Sequence, residues 1–210
     1  MALNSKILQT TFYTIFETLN GIYSNGDEYL ALNVATAIGT YVSSGTVTTN
    51  DTGLGSIGGA YVGVGQGTMT INVAMLSGLL LTSFKLKSIN PILASNIAMN
   101  IDSVCRLPNT VKTDSHGSST IPSSTPYADG GKGNGTFTST PTLISSRLSA
   151  CFSQMDSMYE GGNLYLSQEW ATAIDTYFRS ATINVTLQPP PTMIGVVGFG
   201  VVGTGVGKIS

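Results

Sequence analysis

The stretch Gly63-Val64-Gly65-Gln66-Gly67-Thr68-Met69-Thr70-Ile71 begins as a glycine-rich run and continues as an alternating, strand-like segment. It recurs as Gly133-Asn134-Gly135-Thr136-Phe137-Thr138, and in a looser form as Gly203-Thr204-Gly205-Val206-Gly207-Lys208-Ile209. Successive copies are separated by about one third of the 210-residue chain. Recurrence at a fixed period is the sequence signature of a repeat architecture. The sequence therefore predicts three tandem units that each end on a glycine strand.

The first and last thirds of the chain align with each other without a gap. Ala35-Thr36-Ala37-Ile38 falls on Ala171-Thr172-Ala173-Ile174, and Thr40-Tyr41 falls on Thr176-Tyr177. The middle third aligns more weakly and lacks several residues between its two helices. We therefore expect repeat units of about 70 residues at 1–71, 72–138 and 139–210, the second with a shortened helix–helix loop and a long Ser/Gly loop.

Each unit is predicted to hold two helices followed by two short strands, the second of them glycine-rich. Apolar residues spaced by four indicate the first helix of each unit. These residues are Leu8, Phe12 and Phe16, then Leu76, Leu80 and Phe84, then Ile144, Leu148 and Phe152. The second helices are expected at Ala31–Val42, Pro91–Cys105 and Ser167–Phe178. The fold class is thus α+β, with the units either closed around a pseudo-threefold axis or lined up as an open array.

A variable segment precedes each glycine strand and is predicted to be a surface loop. The three segments are Asn50–Gly59, Thr113–Gly131 and the one containing Pro189-Pro190-Pro191. Their Gly, Ser, Pro and Thr content is typical of loops, which tolerate change because they run over the surface. Because the three units share their helices and strands but differ in these loops, we expect each unit to contact different partners.

The composition bounds the classes of function. Charged residues make up 10% of the chain, against about 25% in an average globular protein. A surface of Ser, Thr, Asn and Gly is easily desolvated, which suits a subunit that buries its surface against other subunits, or a neutral extracellular domain.

The net charge of −2 and the lack of a basic cluster argue against direct nucleic-acid binding. No apolar run reaches the length of a membrane span, and no secretory signal opens the chain.

Two candidate sites lack the surrounding sequence that their chemistry requires. Gly198-Phe199-Gly200-Val201-Val202-Gly203 fits the G-x-G-x-x-G pattern, but only seven residues follow it, which leaves no helix to hold a pyrophosphate. His116 is the single histidine and stands in a serine-rich segment, which indicates a solvated side chain rather than a catalytic base. No cofactor is expected.

The remaining chemical candidates are interpreted as structural. Cys105 and Cys151 do not have metal-ligand spacing and are predicted to lie in the core, as is Trp170. Asp102 and Asp175 occupy matching helical positions and are interpreted as helix-surface or interface residues. No set of acid, base, nucleophile and metal ligands emerges, so we expect a protein that is not an enzyme, with no catalytic and no metal-binding residues.

The third unit resembles a known class of proteins. Its segments Ala171-Thr172-Ala173-Ile174-Asp175-Thr176-Tyr177, Ser180-Ala181-Thr182-Ile183-Asn184-Val185 and Gly203-Thr204-Gly205-Val206-Gly207 resemble those of small virion structural proteins of tailed bacteriophages. The resemblance covers the first unit well and the middle unit poorly. It implies a neck, tail, baseplate or capsid-decorating subunit that is located in the virion, after assembly in the host cytoplasm. Its partners would be copies of itself and other virion proteins.

The glycine strands are the candidate assembly elements, because glycine allows backbones to approach closely. The candidate residues are Gly63, Gly65, Gly67, Gly133, Gly135, Gly203, Gly205 and Gly207. Assembly through helix faces and the edges of these strands is one hypothesis. The other is a secreted or surface binding module of the adhesin type, which would use the variable loops and the predicted loop tyrosines Tyr23, Tyr29, Tyr159 and Tyr165.

Overall fold

The computed structural model of the chain describes residues 3–54, 59–120, 126–158, 160–188 and 202–210. These residues form helices and strands in a mixed α+β arrangement, so the predicted class is confirmed. In chain order the elements are α1 (Ser5–Leu19), α2 (Gly26–Ser44), β1 (Val47–Leu54), β2 (Ala60–Met69), α3 (Val73–Lys85), α4 (Asn90–Cys105), β3 (Val111–Thr120), β4 (Pro126–Thr138), α5 (Thr142–Met155), α6 (Gly162–Ser180), β5 (Thr182–Gln188) and β6 (Val202–Ile209).

The helices arise from apolar faces and from local capping. The residues predicted to face the core are buried in α1, and Leu76 and Leu80 are buried in α3. The side chain of Asn4 accepts hydrogen bonds from the backbone N–H groups of Lys6 and Ile7, at 3.1 and 3.2 Å. Such a cap satisfies amide groups that lack a partner in the first turn, and it fixes where the helix begins.

Two of the predicted surface loops are largely strands, so those predictions were wrong. β1 extends to Leu54, well into the segment 50–59, and β3 and β4 cover most of the segment 113–131. The strands are also longer than predicted, since β4 has 13 residues. Gly, Asn, Asp and Ser have low β-propensity, but hydrogen bonding to strands on both sides overrides that preference here. Pro189–Pro191 lie outside the described residues.

The six strands form one closed antiparallel barrel in chain order. Each strand pairs with the next, and β6 pairs with β1, with Val47 opposite Ile209. Following the paired residues once around the barrel leads from Val47 through Gly67, Thr113, Gly133, Leu187 and Gly203 to Gly53. The strands are therefore tilted against the barrel axis, as closure requires. A closed barrel has no free strand edges.

Side chains alternate between the inside and the outside of the barrel. The inward residues of β1, β3 and β5 are Val47, Thr49 and Asp51, then Val111, Thr113 and Ser115, then Ile183, Val185 and Leu187. The intervening strands β2, β4 and β6 present mainly glycine to the interior. An eight-stranded barrel is just wide enough to be filled by side chains. This narrower barrel accommodates inward side chains from alternate strands because the strands between them lack Cβ atoms there.

The helices form a second closed circuit. Each helix packs against the next in the chain, and α6 packs against α1. At that junction Trp170 meets the rings of Phe12 and Phe16, with centroids 5.6 and 5.9 Å away, which confirms its predicted place in the core. Phe137 of β4 contacts Phe178 of α6, with centroids 5.5 Å apart. One continuous hydrophobic core therefore joins the helices to the barrel.

Candidate functional site

The predicted glycines lie on β2, β4 and β6 and face other strands of the same chain. A Cβ atom on Gly67 would stand 1.8 Å from the carbonyl oxygen of Lys112, and one on Gly207 would stand 1.9 Å from that of Thr48. Gly63, Gly65, Gly133, Gly135, Gly203 and Gly205 are similarly confined, each with an atom of this chain within 3.0 Å of the Cβ position. The backbones close to these glycines thus belong to the chain itself, and their role in assembly with other chains stays a prediction.

Because the glycines face inward, the valines that alternate with them face outward. Val62 and Val64 of β2 are 64% and 44% exposed. On the other side of β1, Val202 and Val206 of β6 are 61% and 54% exposed, and Leu54 at the end of β1 is 61% exposed. We call these five residues the barrel-wall patch. In most antiparallel sheets the solvent-facing side is polar, whereas here it carries these apolar side chains.

The strand register makes the barrel-wall patch continuous. Asn50 of β1 lies directly between Val64 and Val206, and Leu54 pairs with Val202. Thr52 and Thr204 lie outward between these residues and add no charge. The patch is bordered by His116, which pairs with Val64, and by Lys208, two residues beyond Val206. Residues paired in this way have neighbouring side chains on the same face of the sheet.

The other side of the barrel has a different surface. There, Lys132 and Asp114 form an ion pair with 2.5 Å between Nζ and Oδ1, and Lys112 is also exposed. Contiguous exposed apolar surface marks interaction sites in soluble proteins. The barrel-wall patch is therefore the principal candidate site. The sequence alone does not indicate this patch, because alternation of Val and Gly does not itself say which face is buried.

The matching carboxylates Asp102 and Asp175 lie at contacts between helices of this chain. The Tyr177 hydroxyl donates to Asp102 Oδ1 at 2.7 Å, and Arg106 pairs with Oδ2 at 2.5 Å. Tyr41 donates in the same way to Asp175, which Arg179 also contacts at 2.8 Å. These contacts fix the helices relative to one another.

Burial is the largest cause of the raised pKa of the Tyr41 and Tyr177 hydroxyls. The neighbouring acidic groups, Asp175 for Tyr41 and Cys105 and Asp102 for Tyr177, raise the pKa further. Both hydroxyls therefore keep their protons at neutral pH and act as hydrogen-bond donors. This is a structural role rather than acid–base chemistry.

The cysteines are buried, which confirms their predicted place in or near the core. Burial raises the pKa of the Cys151 thiol to about 11 and that of Cys105 higher still. Reactive cysteines need a thiolate and access to solvent. Neither thiol is therefore a candidate nucleophile.

Other predicted residues have a different setting from the one expected. His116 is exposed on the outside of β3, in a strand and not in a loop. Tyr29 and Tyr165 are half-buried in α2 and α6, so their assignment to loops was wrong, whereas Tyr23 is fully exposed before α2. Tyr159 and residues 198–201 of the G-x-G-x-x-G match lie outside the described residues.

A cleft of about 770 Å³ opens between α1 and α2. The hydroxyls of Thr10, Thr11 and Thr14 in its wall donate to backbone carbonyls one turn earlier in α1, so they are already satisfied. Between α5 and α6, by contrast, Arg147 and Glu169 bridge the two helices at 2.7 Å. Asn33, Thr36 and Ser44 on the α2 side likewise donate to backbone carbonyls of their own helix, so these side chains are already hydrogen-bonded within the helices.

Within the part of the chain that the structure describes, no group of three or more His, Cys, Asp or Glu residues is arranged to hold a metal. No described helix combines the length and hydropathy needed to span a membrane. No protein-family model, no curated protein and no solved structure matches the chain.

Proposed function

We propose that this protein is a non-enzymatic structural subunit of a bacteriophage particle, such as a neck, tail, baseplate or capsid-decorating component. It would be located in the virion, after assembly in the host cytoplasm, and its partners would be copies of itself and other virion proteins. The barrel-wall patch carries the proposal, because five exposed apolar side chains on three adjacent strands form a surface suited to protein contact.

We further propose that the chain consists of three tandem repeats, 1–71, 72–138 and 139–210, arranged around a pseudo-threefold axis. The element order supports this, because two helices followed by two strands occur three times. The hairpin registers support it too. Val47 pairs with Gly67, Val111 with Gly135 and Ile183 with Gly207.

The tyrosine–aspartate contacts support a cyclic order of the repeats. Tyr41 of the first unit reaches Asp175 of the third, and Tyr177 of the third reaches Asp102 of the second. The third contact of such a circle would join Val104 to Gly39, the residues at the matching positions. At this junction valine replaces the tyrosine and glycine replaces the aspartate. We expect the two to be replaced together, because either polar group alone would have no partner.

Val73 occupies the space beside Gly39. A Cβ atom on Gly39 would lie 2.5 Å from Val73 Cγ2, so an aspartate does not fit. One junction of the proposed circle is thus apolar and two are polar. A chain of this kind presents three related but distinct faces to its neighbours.

The low charge of the chain supports an assembly role, because few ions lose their hydration when its surface is covered. Because the six strands close into a barrel, the edges of the glycine-rich strands are not available for contacts with other chains. The glycine-rich strands are hydrogen-bonded to neighbours on both sides, so we propose assembly through the barrel wall and the helix faces. The uncharged patch does not favour a nucleic-acid partner.

The test compares two charged variants of the patch with a matched control. Val64→Lys and Val206→Lys place a charge on the patch, whereas Thr136→Lys places one on β4, which lies opposite β1 in the barrel. We expect sedimentation velocity to show a concentration-dependent oligomer for the native chain and the control, and monomers for both patch variants. Mass spectrometry of purified particles should detect the native protein. A native chain that stays monomeric and is missing from particles contradicts the proposal.

The alternative is the adhesin-like binding module. Its specific support is Tyr23, a fully exposed aromatic side chain between α1 and α2. Binding of the monomer to a glycan or peptide array, lost in Tyr23→Ala and unaffected by Val64→Lys, would favour this alternative over the virion role.

A further inference from the structure

Unpartnered polar atoms lie inside the barrel. Asp51 is completely buried, and neither of its carboxylate oxygens has a hydrogen-bond partner among the described residues. The hydroxyl oxygen of Thr49, two residues earlier on β1, is also buried and likewise has no partner in the described part of the chain. Buried polar groups are almost always satisfied. A fully buried carboxylate that no described group satisfies is a candidate for binding a cation.

The oxygens of Asp51 and Thr49 converge on the same small space. The Cβ position of Gly65 lies 2.6 Å from Asp51 Oδ2 and 2.3 Å from Thr49 Oγ1. On the other side, the Cβ position of Gly205 lies 1.8 Å from Asp51 Oδ1. The oxygens of Asp51 and Thr49 thus occupy the room that side chains at Gly65 and Gly205 would need, and any other residue there would displace them.

No described side chain neutralises this carboxylate. The described residues that point into the barrel, apart from Asp51 itself, are apolar residues, glycines, Thr49, Thr113, Ser115 and Tyr61. The hydroxyls of Tyr61 and Ser115 bond to each other at 2.7 Å. The lysines and the histidine of the described strands are exposed on the outside. Buried charges in proteins are paired or coordinate metals.

We propose that Asp51 and Thr49 bind a singly charged alkali cation inside the barrel. The available ligands are all oxygen atoms, which hard cations prefer. A single carboxylate balances one positive charge, whereas tight divalent sites assemble several carboxylates and a larger oxygen cage. The cation would cancel the charge of Asp51 and so offset the cost of burying it.

Thr113 provides a matched control. Its hydroxyl is also buried and without a partner among the described residues, but it lies 2.2 Å from the Cβ position of Gly133 on β4, whereas the atoms nearest the Cβ position of Gly65 belong to Thr49 and Asp51. Thr113→Val and Thr49→Val therefore make the same change in the same interior. Only the second removes a proposed ligand.

The experiment measures thermal unfolding of the full chain in choline chloride, with NaCl or KCl replacing choline at constant ionic strength. We expect the melting temperature to rise saturably with one of the two alkali ions. Thr49→Val should weaken the apparent affinity about tenfold, Thr113→Val should leave it unchanged, and Asp51→Asn should abolish the response. Crystals soaked in thallium(I) should show an anomalous peak beside Asp51 Oδ2.

Two results would overturn the proposal. One is a native chain that melts at the same temperature in choline, sodium and potassium, with Asp51→Asn equally or more stable, since the carboxyl group then needs no cation. The other is a response to Ca²⁺ or Mg²⁺ alone. Circular dichroism of Asp51→Asn in choline establishes that the variant folds. The self-association test of the barrel-wall patch does not depend on this outcome.

Discussion

Tyr177 in α6 donates a 2.7 Å hydrogen bond to Asp102 in α4, and the same carboxylate is held by Arg106 at 2.5 Å. Arg106 in turn donates to the backbone carbonyl of Ser139 at 2.8 Å, just before α5. The three side chains thus connect α4 and α6 to the start of α5. Because these hydrogen bonds join separate helices, we expect a single substitution of Tyr177, Asp102 or Arg106 to affect the stability of the fold.

We expect Tyr177→Phe to lower the free energy of unfolding by about 1–2 kcal/mol, because it removes one hydrogen bond to a half-buried charged group and leaves the ring in place. Urea denaturation measures the change. Tyr23→Phe is the control, since the Tyr23 side chain is fully exposed, and it should leave stability unchanged. Equal stabilities of Tyr177→Phe and the native protein would show that Arg106 alone satisfies Asp102.

The raised pKa of Tyr177 and Tyr41 predicts a loss of stability at alkaline pH. A free tyrosine loses its proton near pH 10, and both folded-state values lie above that. Their contribution is therefore fully present below about pH 10 and falls as pH rises above it, because only the unfolded chain releases these protons. Urea denaturation between pH 8 and 11 should show a smaller pH dependence for the Tyr41→Phe, Tyr177→Phe double variant.

Gly67→Ala should destabilise the fold, whereas Gly78→Ala should stabilise it. A Cβ atom at Gly67 would stand 1.8 Å from a backbone oxygen, whereas at Gly78 in α3 no atom lies within 4 Å. Gly67→Ala should prevent the barrel from closing. Gly78→Ala should stabilise by about 0.5–1 kcal/mol, because alanine favours a helix. Thermal melts of both variants test the assignment, and a well-folded Gly67→Ala would contradict the register of β2 and β3.

Neither cysteine should react with a thiol reagent while the protein is folded. Burial and the raised pKa of both thiols keep them neutral and inaccessible at pH 8. Titration with a chromogenic disulfide should detect no thiol in native buffer and two in guanidinium chloride. Rapid modification of one thiol in native buffer would identify local opening around Cys151 or Cys105.

The helical part of the fold could be predicted from the sequence because its signals are local. The four-residue spacing of Leu8, Phe12 and Phe16 identifies a buried face, and the side chain of Asn4 caps the helix that carries it. The barrel could not be predicted in this way. Pairing of Val47 with Ile209 joins the first strand to the last, and no local pattern records such a contact.

The candidate sites were missed for a related reason. Asn50-Asp51 reads as a turn, because both residue types favour turns, yet Asp51 is a buried strand residue. Val62 and Val64 alternate with glycine, a pattern that does not show which face is buried, and they are exposed. Both features follow from the narrow barrel, which reserves alternate inward positions on β2 for glycine and directs the valines outward. The diameter of a barrel depends on all its strands and is not encoded in any one of them.

Closure of β6 on β1 also constrains when the chain can fold. Thr46 and Ser210 exchange backbone hydrogen bonds of 2.9 and 3.0 Å beside this seam, so the ring is completed only when residues 202–209 have been synthesised. Until then β1 and β5 each retain an open edge, which is the kind of surface that recruits other chains into aggregates. Such distant pairing is slow to form. A ribosome that stalls before the last strand would therefore release an aggregation-prone intermediate, and expression yield should fall sharply on truncation of β6.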